Sequence, residues 1–152
     1  MDSNPHKNKV HRILAHSYSV YFLLFLVGVA LDFTFQFKIF TSNIWTPVGV
    51  ILLIIGSFLV LWAQKANRNM KMVNVTKENF CKGPYCYARH PTHWGLFFLI
   101  LGFGIILNAL FVILCTLISF IVTKFVFIEK QEKILAEKYG APYLEYKKSV
   151  KL

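Results

Sequence analysis

Apolar and polar positions fall in long blocks along the chain, without the short amphipathic periods of a water-soluble fold. The first apolar block covers residues 17–37, enough for a helix through a hydrocarbon core about 30 Å thick. Basic residues precede it, as in a signal peptide. No small-residue cleavage site follows and further apolar blocks do, so the pattern predicts a retained helix. Its acid, Asp32, sits near the far end and reads as a boundary residue. A turn marked by Ser42, Asn43 and Pro47 leads to a second block, 45–64. Residues 65–93 are polar and mixed. The block 94–128 then runs 35 residues with one charge, Lys124. A single helix of that length would extend about 52 Å, too long for one crossing. Gly102, Gly104 and Asn108 interrupt it, which predicts a tight hairpin of two short spans, 94–107 and 109–128. The tail, 129–152, reads as an amphipathic helix broken at Gly140 and Pro142, then a basic end.

The predicted architecture is therefore all-α: one integral membrane bundle of about four transmembrane helices with a short C-terminal helix, forming a single domain over 1–152. Gly49, Gly56, Gly95, Gly102 and Gly104 are placed to let helices approach closely. Composition agrees, since 56% of the 152 residues are hydrophobic and 16% charged, where soluble domains have about 45–50% and roughly 25%. Such hydrophobicity excludes intrinsic disorder. The net charge of +10 invites a nucleic-acid reading, but the apolar excess leaves no polar body to carry a basic patch.

Charge acts on topology instead. Lys7, Lys9 and Arg12 precede the first span, six basic residues (among them Lys71) lie within 65–93, and seven run from Lys124 to Lys151. With four spans, these 16 of the 17 basic residues share one face, as the positive-inside rule requires. Both termini and the 65–93 loop are expected in the cytosol, in a bacterial inner membrane or the endoplasmic reticulum. The three cysteines contain no CxxC pair and are odd in number, which gives little support to a zinc site or a disulfide framework. Cys115, inside an apolar block, reads as a small core residue.

Two polar clusters flank the last hairpin. The first runs Lys82-Gly83-Pro84-Tyr85-Cys86-Tyr87-Ala88-Arg89-His90-Pro91-Thr92-His93. Pro91 suits a first helical turn, which would put Arg89 and His90 beside backbone donors and a positive dipole end, a setting for an anionic group. On composition alone, a loop touching lipid phosphates is the plainer reading. His90 and His93, at i and i+3, lack a third ligand nearby, so no metal site is predicted. The second cluster is Glu129, Gln131 and Glu132. Glu129 and Glu132 share a helix face, and acids at the end of a span are costly unless paired or useful. The plainer alternative pairs them with Lys130, Lys133 or headgroups.

Taken together and in order, Gly83-Pro84-Tyr85, Arg89-His90-Pro91, Gly95, a glycine-containing hairpin, Gln131-Glu132-Lys133-Ile134-Leu135, Tyr139-Gly140, Tyr143, Tyr146 and Val150 resemble one known arrangement. It is that of the isoprenylcysteine carboxyl methyltransferases and the related phospholipid methyltransferases, and the likeness spans about residues 46 to 150. The resemblance implies an S-adenosylmethionine-dependent membrane methyltransferase with a lipophilic or lipid-modified substrate that carries a carboxylate, amine or thiol and enters from the bilayer lipid. It further implies Glu132 and Arg89 as catalytic residues. Lys82, Gly83, Tyr85, Tyr87, Arg89, His90, Pro91, His93, Glu129, Gln131 and Glu132 would bind the cofactor on the cytosolic side.

The chain departs from the family pattern at three places. Gln131 stands for the first acid of a pair, His93 for a tyrosine, and Phe127 about where an arginine is common. The loop is also similar to that of membrane sterol reductases, which use NADPH, but a Glu usual there after the glycine is Leu96 here. Gly83-Pro84-Tyr85 and the short length favour methyl transfer. A third reading, a non-catalytic membrane scaffold, draws on Gln131 and His93.

Overall fold

The computed structural model describes residues 5–68 and 76–150; Lys71 and Lys151 lie outside the described residues. Among the described residues seven α-helices follow one another: α1 Pro5–Phe35, α2 Thr46–Arg68, α3 Lys77–Phe80, α4 Pro91–Ile106, α5 Leu110–Val122, α6 Glu129–Tyr139 and α7 Ala141–Ser149. Among the described residues there is no strand, as the block pattern requires. Helix α1 starts well before the apolar block, because the polar lead continues it. The second span matches α2, whose last turn carries Lys65 and Arg68, cations that suit a helix C-terminus.

The hairpin breaks where Asn108 adopts a left-handed φ of 55°, a conformation that asparagine tolerates. Its two arms are unequal, however. Helix α4 has 16 residues, about 24 Å, and stays short of a full crossing. The return runs unbroken for 30 residues, Leu110–Tyr139, because a π-helical stretch, Thr123–Ile128, joins α5 to α6. Among the described residues three helical stretches are thus long and apolar enough to cross a membrane, Arg12–Phe35, Asn43–Arg68 and Leu110–Tyr139, with α4 a shorter apolar helix beside them.

Large apolar side chains point outward: Phe22, Leu23, Ile54, Phe58, Leu61, Ile121 and Phe125 are exposed, while Ala63, Ser17, Thr116, Ser119 and Thr123 are buried. A lipid solvent explains the inversion, since tails gain nothing from hiding Leu and close packing favours small residues. Thr116 and Ser119 donate to Val112 O and Cys115 O of their own helix, at 2.6 and 2.7 Å. The tightest packing joins α2 to α4. A Cβ on Gly56 would lie 2.5 Å from Leu99 N, and one on Gly102 2.6 Å from Gly49 O, so backbone meets backbone along this seam.

Polar residues lock the hairpin end. The Asp32 carboxylate accepts from Phe111 N (3.1 Å) and Val112 N (2.8 Å), capping α5 from a neighbouring helix. Asn108 accepts from Ile39 N and Phe40 N, both at 2.9 Å, and donates to Phe40 O at 2.6 Å. At the opposite end, Phe80, Tyr143, Tyr146 and Val150 form a small apolar core, with Leu135, Ala136 and Tyr139 packed on it. It fastens α3, α6 and α7 together and brings the two polar clusters to one end of the bundle.

Candidate active site

The loop before α4 is folded by its own sequence. Lys82 leads into a tight 3-10 turn, Gly83–Cys86, where Gly83 has a φ of 57° and lies against the Trp62 indole. Tyr87 and Ala88 both donate from the backbone to Pro84 O, at 3.1 and 3.0 Å. This turn brings Cys81 and Cys86 together, Cα to Cα 4.4 Å, and they form a disulfide. That corrects the expectation from cysteine spacing, because the pairing comes from the local turn, which spacing alone does not reveal. Cys115 is the buried free thiol expected. His90 then stands at the N-cap position of α4, without a side-chain cap, and Pro91 occupies the first turn, so Arg89 and His90 lie at the helix start.

Glu132 is the centre of the cluster. Its carboxyl is 8% exposed and reaches across from α6. Arg89 Nη1 donates to Oε1 at 2.6 Å, His90 Nε2 lies 3.2 Å from the same oxygen, and Lys147 Nζ is 2.7 Å from Oε2. Burial alone would raise this carboxyl. The hydrogen bonds from His90 and Lys147 and the charge of Arg89 outweigh it, bringing Glu132 down to about 2. A second tie crosses the same gap, where Tyr146 Oη donates to Tyr85 O at 2.6 Å. Burial holds the phenols of Tyr85, Tyr143 and Tyr146 above their usual range, so all three stay protonated.

Against known proteins, the sequence model of the phospholipid methyltransferases matches residues 44–142, well over half of the chain. The chain belongs to the phospholipid methyltransferase family. Neither the curated proteins nor the solved structures contain a match. Family membership makes the protein a membrane methyltransferase of lipid-like substrates. The matched stretch holds α2, the whole Lys82–His93 loop, the hairpin and α6.

In this family member, the structure joins some of the sequence-predicted site residues and leaves others apart. Arg89, His90 and Glu132 meet directly, and Tyr85 is tied in through its carbonyl. Gly83 and Pro91 shape the loop and the helix start. Lys82 and Gln131 are half-buried nearby, with no side-chain hydrogen bond of their own among those described. Tyr87 is 74% exposed. Glu129 points to solvent although it shares the sequence spacing with Glu132. Buried His93 lies 6.0 Å from His90 and 5.8 Å from Tyr18, ring to ring, and takes no part in the Glu132 cluster. Glu132 pairs across elements, with Arg89 and Lys147, instead of with Lys130 or Lys133. Sequence reasoning missed Lys147, which lies beyond the matched stretch and reads as one more basic anchor; the neighbouring Tyr143–Tyr146 spacing is the signal that fixes its helix.

Proposed function

We propose that the protein transfers a methyl group from S-adenosylmethionine to a lipophilic acceptor at the cytosolic face of its membrane. One observation carries the reading: within a methyltransferase family, the Arg89-His90 loop and the buried Glu132 carboxylate converge although 43 positions separate Arg89 from Glu132. The donor set fits the cofactor. A sulfonium nucleoside joined to an amino acid offers one carboxylate, one ammonium, a ribose and an adenine. The site offers cations, a carboxylate, imidazoles and two tyrosines.

When bound, the cofactor supplies an electrophilic methyl, and the chemistry needs little covalent help. Holding a nucleophile in line, about 3–3.5 Å away, accounts for much of the rate. Arg89 and Lys82 are the groups for a carboxylate, Tyr85 and exposed Tyr87 for the adenine face, and His90 for the ribose. Pro91, as the first residue of α4, sets the backbone direction from which Arg89 and His90 project. His93 is buried behind His90 on α4, Gln131 is half-buried beside Glu132 on α6, and Glu129 is exposed. Glu132 holds Arg89 and His90 in place and presents the negative charge for the cofactor's cationic part. The acceptor, an amine, thiol or carboxylate on an apolar body, arrives laterally from the lipid.

The test is a thermal-shift measurement on the detergent-purified protein with S-adenosylhomocysteine and, separately, NADPH. A ligand that binds only the native state raises its melting temperature. A rise with S-adenosylhomocysteine, absent with NADPH, is expected, followed by transfer of radiolabelled methyl to a lipid fraction of membrane extract. A rise with NADPH alone would establish the reductase reading. No rise with either would leave the non-catalytic scaffold.

A further inference from the structure

We infer that the Cys81–Cys86 pair is a reversible thiol–disulfide switch, closed by oxidation and opened by a small cellular thiol, that sets how firmly the two walls of the site are held together. The inference rests on the methyltransferase reading above and on its cytosolic placement.

The first argument is position. Cys81 follows Phe80, whose ring is buried with Tyr143, Tyr146 and Val150 in the small core that fastens α3 to α6 and α7. Phe80 meets Tyr139, Tyr143 and Tyr146 at 5.2, 5.5 and 5.6 Å between ring centres. Cys86 ends the 3-10 turn whose Gly83 lies against Trp62 of α2, and the chain runs on from it to Arg89. The disulfide therefore joins one wall to the other. It holds the two Cα atoms 4.4 Å apart, where a fully extended chain of that length would reach about 17 Å. Two non-covalent ties span the same gap, Arg89 to Glu132 and Tyr146 to Tyr85 O, each at 2.6 Å. The sulfur bridge is the tie that redox chemistry can undo.

The second argument is exposure and compartment. Cys81 is exposed and Cys86 half-buried, so a small thiol reaches the bridge, whereas the free Cys115 is buried. The bridge lies on the face that carries most of the basic residues, the cytosolic one under the positive-inside rule. Glutathione keeps thiols reduced there, and disulfides that do form in that compartment are as a rule transient and redox-sensing. Closing so short a loop also stabilises a fold less than closing a long one, which suits a bond that comes and goes. The step is a two-electron exchange. A thiolate attacks the exposed Cys81 Sγ, the S–S bond breaks, and Cys86 leaves as a thiolate. A second thiol then attacks the mixed disulfide, frees Cys81 and leaves as the disulfide of the small thiol. The protons of the two thiols end on Cys81 and Cys86.

The experiment equilibrates the full chain in nanodiscs with glutathione buffers running from fully reduced to fully oxidised, traps the thiols by alkylation and reads their state by mass. On the same samples, calorimetry with S-adenosylhomocysteine reads binding, and hydrogen exchange reads the amides of Tyr85, Tyr87 and Ala88. The pair should interconvert within the buffer range, with Cys115 free throughout. Reduction should weaken S-adenosylhomocysteine binding about tenfold, part of the constraint that closing a short loop supplies, and should speed exchange at those amides by a similar factor. The double variant Cys81→Ser with Cys86→Ser should match the reduced protein in every buffer; a remaining response to glutathione would come from Cys115 and overturn the assignment. A bridge that stays closed in the fully reduced buffer would be a permanent structural bond and overturn it, as would thiols that stay free in the fully oxidised one. A reduced form that binds as tightly as the oxidised one, or exchanges no faster, would overturn it as well. If the oxidised protein binds no S-adenosylhomocysteine, the methyltransferase reading falls, and exchange at the three amides alone decides the switch.

Discussion

Replacing Glu132 with Gln removes the charge on which Arg89, His90 and Lys147 converge. The folded carboxyl lies at about 2 against an ordinary 4.5. At about 1.4 kcal/mol per pKa unit, that difference is worth about 3 kcal/mol of folding free energy. The Lys147 end is open to water, and exposed pairs contribute little, so about 2 kcal/mol is the better figure. Because the folded value is depressed, the contribution is complete above about pH 4.5 and is lost as pH falls towards 2. Unfolding in detergent can be followed through the fluorescence of Trp45, Trp62 and Trp94. At pH 7, Glu132→Gln should melt about 4–8 °C below wild type. The gap should close as pH is lowered through the window between about 4.5 and about 2, where wild type loses the same charge. Identical melting at pH 7, or a gap that stays constant down to pH 2, would refute the ion-pair account.

Substitutions at three further positions probe the membrane part, all read as melting temperatures in detergent. Gly56→Ala places a methyl 2.5 Å from Leu99 N and 2.6 Å from Gly95 O, so backbone must move and about 1–3 kcal/mol should be lost. Gly104→Ala, whose new methyl meets side chains at 3.0 and 3.2 Å and backbone only at 3.5 Å, should cost clearly less; equal costs would argue against the backbone seam. Asp32→Ala leaves Phe111 N and Val112 N without their acceptor and should cost about 1–3 kcal/mol, with Asp32→Asn losing part of that; no change in either would remove Asp32 as a cap.

Much of this was legible in the order of residues. The apolar blocks placed the helices, and Gly102, Gly104 and Asn108 located the hairpin break, because hydropathy and turn chemistry are local properties. Gly140 and Pro142 likewise marked the division of the tail. The unequal arms of the hairpin were not legible, since a π-helical stretch such as Thr123–Ile128 has no residue signature and prolongs the helix past the apolar block. Glu129 and Glu132 look equivalent at i and i+3, and only packing against the Arg89 loop decides which is buried. Asp32 read as a boundary residue because its partners, 79 and 80 positions away, are backbone amides, which every residue possesses. Lys147 looked like any other lysine of a basic tail for the same reason: its partner comes from another helix.

The glycine seam between α2 and α4 has a consequence for how the protein opens. Two helices in backbone contact slide or separate only by breaking their whole interface, so they move as one block. The Cys81–Cys86 loop runs from α3 into α4 and rests on that block through Gly83, which lies against Trp62 of α2. Facing that block across the site is the other wall. That wall is α6 and α7, joined at Gly140 and tied to the loop by Tyr146 and Glu132.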